Sequence, residues 1–225
     1  MMRKASVLML LFFLAITKCY CQDLVPTDTD ALLKVTVTNL DNEPSEGEII
    51  IFTSKLSEKE YEGITNQQGK FTILVPKGET YTVKYRNFGY DHQYAEHEVP
   101  EYAGKLVSKI NIKYQLPTKA VLEDVLFEFG KDELKEAAFK PLDKLVVLLQ
   151  VKKNMKVLIG GHSDSAEKDM DLSRSRAAAV KKYLVEKGID ANRLVVKGYR
   201  DSMPMINGKT SEDKKMNRRI EVEII

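Results

Sequence analysis

The chain has 225 residues, 43% of them hydrophobic and 30% charged, with 12 Gly, 7 Pro and a net charge of +2. Such a composition excludes a disordered chain, a collagen and a polytopic membrane protein, and the length suits one large or two small domains. The charge is unevenly spread: residues 1–21 carry three basic groups and no acid, residues 22–117 carry 10 basic and 15 acidic, and residues 118–225 carry 22 and 18. No part has the basic excess of a nucleic-acid binder, so nucleic acid is not expected as a partner.

Residues 1–21 read as a secretory signal. Arg3 and Lys4 precede an apolar run, Ala5–Ile16, that is too short to span a bilayer as a helix. Cleavage after Cys21 would leave Gln22 first and remove both cysteines, Cys19 and Cys21, from the mature protein. The rival is a lipoprotein acylated on one of those cysteines, but Lys18 and Tyr20 are not the small residues usual before a lipidated cysteine. Export is expected.

Residues 22–117 read as an all-β domain, with structure over 31–116. Alternation at 31–38 and 107–114, a short apolar run rich in β-branched residues at 48–53, and runs at 71–75 and 81–85 bounded by turn signals such as Asn66-Gln67-Gln68-Gly69 and Pro76-Lys77-Gly78 predict strands. Strands at this spacing without intervening helices predict a small β-sandwich. His92 and His97 invite a metal reading. However, a spacing of five places them on opposite faces of a strand, and the neighbouring Asp91, Glu96 and Glu98 suggest a solvated acidic loop.

Gln115-Leu116-Pro117-Thr118 marks a short junction. Residues 118–225 then change period. The expected order is a strand at 121–129, a helix at 134–151, a strand at 155–159, a helix at 172–187, a strand at 193–197, a loop with one short helix, and a strand at 218–225. Pro141 belongs in the first turn of its helix or kinks it, and Gly188 stops the second. The fold class is therefore α+β, a small sandwich followed by a βαβαβ(α)β unit.

The loop 160–171 joins the end of a strand to a helix start, where open sheets hold ligands. Asp171 is a candidate N-cap, and the helix end behind it would favour an anion. Arg174 and Arg176 oppose the helix dipole there, and Arg176 interrupts the row Leu172, Arg176, Val180, Leu184. A disfavoured cation suggests a compensating partner. The residues alone allow an internal ion pair with Asp164 or Asp169, or a guanidinium held to grip a ligand carboxylate. Gly160-Gly161-His162 lacks the Gly-Lys-Ser/Thr of a phosphate loop, and consecutive His162, Ser163 and Asp164 cannot arrange themselves as a catalytic triad. No enzyme and no cofactor are expected.

Two resemblances sharpen these readings. Gly63–Phe71, Val75–Gly78, Tyr81–Val83 and Gly89-Tyr90 resemble the carboxypeptidase-regulatory-like, or transthyretin-like, sandwich modules, which implies an accessory module rather than a peptidase. Val125–Phe129, Gly161–Ser165, Leu172–Val180, Gly188-Ile189, Gly198-Tyr199, Pro204 and Asn217–Glu221 fall in the order of the OmpA-like C-terminal domain. That resemblance implies non-covalent binding of peptidoglycan through the diaminopimelate of its stem peptide. It places Asp164 against the ligand's ammonium and Arg176 against its carboxylate, with Leu172, Asn217 and Arg218 lining or bracing the pocket. Two departures stand out: the loop after Asp164 is shorter than the family's usual one, and Gly130 replaces a frequent acid.

The leading reading is thus a wall tether or scaffold whose sandwich meets an unidentified envelope protein. The alternative is a docking subunit of a secretion, motility or transport assembly whose OmpA-like domain has lost or altered its ligand. The N-terminal half lacks the length and pattern for an outer-membrane barrel.

Overall fold

The computed structural model describes residues 24–122, 127–164, 170–208 and 210–225. The signal segment with both cysteines, Val125-Leu126, and the shortened loop from 165 to 169 lie outside the described residues. The side chain of Asp171 does too.

Seven strands form the N-terminal part: β1 (Asp30–Thr38), β2 (Ile49–Ser54), β3 (Glu60–Ile64), β4 (Lys70–Pro76), β5 (Glu79–Asn87), β6 (Tyr90–Val99) and β7 (Val107–Lys113). They make a three-stranded sheet ordered β4-β1-β7 and a four-stranded sheet ordered β3-β2-β5-β6. Alternation in β1 and β7 turns Leu33, Val35, Val37 and Ile112 inward, where they meet Ile50, Phe52, Tyr81 and Val83 of the other sheet. This is the expected two-sheet sandwich.

Two strands escaped the alternation pattern. β3 and β6 are edge strands with exposed, mostly polar residues, so the segment expected as an acidic loop is instead ten residues of strand. The β5–β6 register slips between Val83 and Lys84, which pairs Lys84 with Gln93 and Val83 with Ala95 and leaves Tyr94 as an extra residue. This bulge reverses the parity of the strand. His92 and His97, expected on opposite faces, pair with Tyr85 and Tyr81 and share one face. His92 stacks on Tyr85 with ring centroids 5.4 Å apart. The described residues contain no group of three or more side chains suited to a metal ion.

The C-terminal part runs β8 (Lys119–Leu122), α1 (Phe139–Val151), β9 (Val157–Gly161), α2 (Met170–Glu186), β10 (Leu194–Gly198), α3 (Ser211–Asn217) and β11 (Ile220–Ile224). Its sheet is ordered β10-β9-β11-β8, with β10 parallel to β9 and the other pairs antiparallel. The α+β class and the element order are as expected, with shifted bounds. Phe127–Phe129 is irregular chain rather than the end of a strand, and α1 starts at Phe139 after a 3₁₀ turn at Glu136–Ala138. Pro141 sits in the first turn, where its missing N–H costs nothing. Since α2 begins at Met170, Asp171 lies within its first turn and does not cap it from outside. Thr210 caps α3 in a reciprocal pair with Asp213.

The two parts share a core. Ile49 and Ile51 of the four-stranded sheet, with Phe88 from the turn between β5 and β6, join the buried cluster of Leu142, Leu145, Leu148, Leu149, Ile159, Val180 and Val222. Helix α1 is therefore covered on two sides, which accounts for the unbroken run Leu145-Val146-Val147-Leu148-Leu149. Polar contacts flank this seam. Lys152 Nζ lies 2.6 Å from Glu48 Oε1, and Tyr114 donates to the same carboxylate at 2.6 Å. Asp91 pairs with Lys144 and, at 2.8 Å, with Arg86. The molecule thus stacks as sheet, sheet, helices, sheet. No helix among the described residues is long and apolar enough to cross a membrane.

Candidate functional site

The site gathers around the end of β9. Past Gly161, the backbone of His162 donates to Arg219 O at 2.9 Å and that of Ser163 donates to Arg200 O at 3.0 Å, which fixes the direction in which Asp164 leaves the sheet. Gly161 has to be glycine, because a Cβ there would stand 1.8 Å from the backbone oxygen of Ser173. That close approach seats the first turns of α2 directly on the strand.

Asp164 is buried, and its carboxylate is paired with the Arg218 guanidinium at the end of α3. Arg176 is the largest fully buried side chain among the described residues. Its Nε donates to Lys131 O at 2.9 Å and its Nη2 to Glu128 O at 3.2 Å, while its guanidinium lies 5.3 Å from the Phe127 ring centroid. The intrusion that Arg176 makes on the apolar row of α2 thus has a structural compensation in the carbonyls of the 127–131 turn. Gly130 sits in that turn at φ +72°, a left-handed conformation that suits glycine. Leu172 is half-buried in the first turn of α2. Asn217 is spent on the loop before α3: its Oδ1 accepts from Met205 N at 2.8 Å and Ile206 N at 3.1 Å, and its Nδ2 donates to Ile206 O at 2.9 Å.

Of these residues, Arg176 and Arg218 face a common cleft of about 270 Å³, completed by Phe127, Glu128, Phe129, Lys135 and Lys215. Arg218 also lies over the Phe129 ring, 5.7 Å from its centroid. Among the described residues, four cations line this cleft beside one lining carboxylate, Glu128, which is itself paired with Lys131, while Arg218 is paired with Asp164. Such a cleft can hold an anionic group by charge-assisted hydrogen bonds. Lys135 and Lys215 were not singled out from the sequence, because isolated surface lysines carry no spacing signal. Larger clefts exist elsewhere, but they lack this convergence of buried guanidinium and aromatic groups.

The start of β11 carries a buried network. Arg219 grips Glu221 with Nε at 2.9 Å and Nη2 at 2.7 Å, and Lys119 reaches the same carboxylate. Burial pushes the Glu221 carboxyl up, but these partners hold it below its usual range. His162 is buried, stacks on Tyr199 at 4.9 Å and places Nε2 3.1 Å from Glu221 Oε2. Burial, reinforced by Arg219 and partly opposed by Glu221, pushes its imidazole down from 6.5 to about 4. The unfolded chain therefore binds a proton that the native state refuses between those values. The His162 contribution is complete above pH 6.5 and is lost as pH falls toward about 4. The expected loss is about 1.4 kcal/mol per pH unit, roughly 3 kcal/mol in all. His162→Phe, which keeps the stacked ring, should flatten this part of the pH profile in urea unfolding. An unchanged slope would show that the acid sensitivity resides in the carboxylates.

The C-terminal part is thus an α+β unit that presents a cationic cleft at the end of a strand. Comparison with known proteins places it more closely: residues 126–218 match the model of the OmpA family. The outer membrane protein A of Bordetella avium is 37% identical over 105 residues, which cover 45% of this chain and 54% of that protein. The outer membrane porin F of Pseudomonas aeruginosa is 33% identical over 105 residues, covering 45% of this chain and 30% of the porin. The matched stretch thus spans about half or less of these relatives' own length. Among solved structures, the cell wall anchor of the type VI secretion system of Pseudomonas aeruginosa aligns over 48% of this chain and 87% of its own. That alignment has 25% identity and a TM-score of 0.41. All of these matches cover about half of the chain or less.

Proposed function

We propose that this protein is a non-catalytic, peptidoglycan-associated component of the cell envelope, holding the wall through the cleft at the end of β9. The observation that carries this reading is the convergence of Arg176 and Arg218 on one cleft, inside a stretch that matches the OmpA family. The ligand class is the diaminopimelate-containing stem peptide, whose carboxylates suit a cleft lined by guanidinium and ammonium groups. On this reading Asp164, buried against Arg218, takes the ligand's ammonium by exchanging that partner for it. Exported and periplasmic, the protein would tether the wall to an envelope protein engaged by the sandwich.

One observation favours a second reading. Asp164 is already neutralised by Arg218, and a pair that stays closed leaves only an anion site. The domain would then serve as a protein-docking subunit of an envelope assembly. Co-sedimentation of the full chain with isolated sacculi separates the two. The wild type should bind and be displaced by free diaminopimelate. Asp164→Ala and Arg218→Ala should each weaken binding about 10- to 100-fold, the weight of one charge-assisted hydrogen bond. A folded wild type that stays in the supernatant would support the docking reading.

A further inference from the structure

The outward face of the three-stranded sheet carries a charge pattern that the wall reading does not use. Its register aligns Thr72, Lys34 and Lys109 in one row, Lys70, Thr36 and Asn111 in the next, and Thr38 with Lys113 in a third. Lys34, Lys70, Lys109 and Lys113 are exposed. No acid occupies an outward position in these three rows, although residues 22–117 as a whole hold 15 acidic groups against 10 basic; towards the start of β1 the same face continues with Leu32 between Leu74 and Val107, and then Asp30 beside Pro76. Asp41 and Glu43 lie in the turn beyond the end of β1. The ion pairs of the described residues leave Lys34, Lys70 and Lys109 unengaged, while Lys113 donates to Asn42 Oδ1 at 2.8 Å. A shallow groove of about 470 Å³ crosses the face, lined by Lys34, Lys70, Lys109, Thr36, Thr72 and Asn111 among others, with no carboxylate.

The placement is equally specific. The inner side of this sheet is buried against the four-stranded sheet, which packs in turn on α1. The lysine face is therefore the outermost layer of the stack, turned away from the C-terminal sheet. It is broad and shallow, and its outward rows carry no arginine and no aromatic ring; Phe71, which also lines the groove, turns its ring toward Gly63 and the sandwich core. Those absences disfavour bidentate reading of a single phosphate and stacking of bases. Flexible ammonium groups spread over a flat face suit a diffuse field of many negative charges.

We infer that this face docks on a surface of anionic phospholipid headgroups. Each lysine near such a surface strengthens binding about fivefold, so the four act together as a reversible electrostatic contact sensitive to salt. The inference stands apart from the wall site, which lies at the other end of the stack.

The test is flotation of the full chain with vesicles of equimolar phosphatidylglycerol and phosphatidylcholine, against vesicles of phosphatidylcholine alone. Comparison with Lys34→Glu/Lys109→Glu keeps the apolar residues 5–16 constant. Both substituted side chains are exposed, so the variant should melt with the wild type and still bind sacculi if the wild type does. Binding to the anionic vesicles that salt weakens, and that the variant loses at least tenfold, would support the inference. Equal binding by variant and wild type, equal binding to neutral vesicles, or capture by inorganic polyphosphate or single-stranded DNA in place of vesicles would each overturn it.

Discussion

Replacing Phe88 with alanine is expected to destabilise the protein by about 3–5 kcal/mol, the usual cost of emptying a buried aromatic site. Phe88 and Gly89 form the two-residue turn between β5 and β6, with φ of +44° and +96°. A bulky residue in the left-handed region is uncommon and persists only where its surroundings hold it. Here the ring is fully buried in the cluster built around α1. Gly89 presses against the same helix: a Cβ there would lie 2.4 Å from Pro141 O. The hairpin tip is thus the wedge by which the sandwich enters the core of the C-terminal part.

The loss should also change the form of unfolding. With Phe88 in place, one transition is expected by every probe; in Phe88→Ala the two parts should begin to melt separately. Phe88→Leu, which retains most of the apolar volume, should cost less than the alanine change. Urea denaturation followed in parallel by far-ultraviolet circular dichroism and tyrosine fluorescence would read this. A shift below about 1 kcal/mol in Phe88→Ala, with the transitions still coincident, would show that the shared core does not couple the parts. For the same reason, residues 118–225 expressed alone would expose the side of α1 that meets Ile49, Ile51 and Phe88, so binding studies belong on the full chain.

The second large effect is expected at Arg176. Arg176→Met keeps the length of the stem within α2 but removes the donors to Lys131 O and Glu128 O. Hydrogen bonds from a charged donor contribute about 1.5–3 kcal/mol each, and a buried carbonyl left without its partner adds to the loss. A destabilisation of about 3 kcal/mol is expected, concentrated in the turn that forms one wall of the cleft. Sacculus binding should fall by more than the stability loss explains, since the same guanidinium lines the cleft. Hydrogen exchange of the 127–131 amides, measured beside sacculus binding at a temperature where the variant is folded, separates the two roles. Normal binding with accelerated exchange would make Arg176 a brace of the turn and leave the ligand to Arg218 and its neighbours.

Much of this architecture was legible in the sequence. Period-two alternation located β1 and β7, each of which turns one face into the sandwich core; a short apolar, β-branched run located β2, which is buried on both faces, and turn signals bounded β4 and β5. The helical stripe from Leu142 to Leu149, Pro141 in the first turn and Gly188 after α2 placed the helices, since these signals act over a few residues of chain. The ordered motifs from Val125 to Glu221 pointed to the OmpA-like part. β3 and β6 went unread because their mostly polar side chains bury little and so show little alternation, and the bulge at Tyr94 reversed the parity that a count of residues assigns to His92 and His97.

What the sequence determined by itself is therefore what local periodicity and motif order can encode: the class and the order of the elements. The tertiary structure decided how distant groups spend their charges and their apolar surface. Asp164 meets Arg218 across 54 positions of chain, and Arg176 reaches carbonyls 45 and 48 positions away. The second apolar side of α1 finds the sandwich through Phe88. The physical reason is common to all three: a buried charge or apolar surface requires a partner, but residue type states only that requirement, while packing selects the partner.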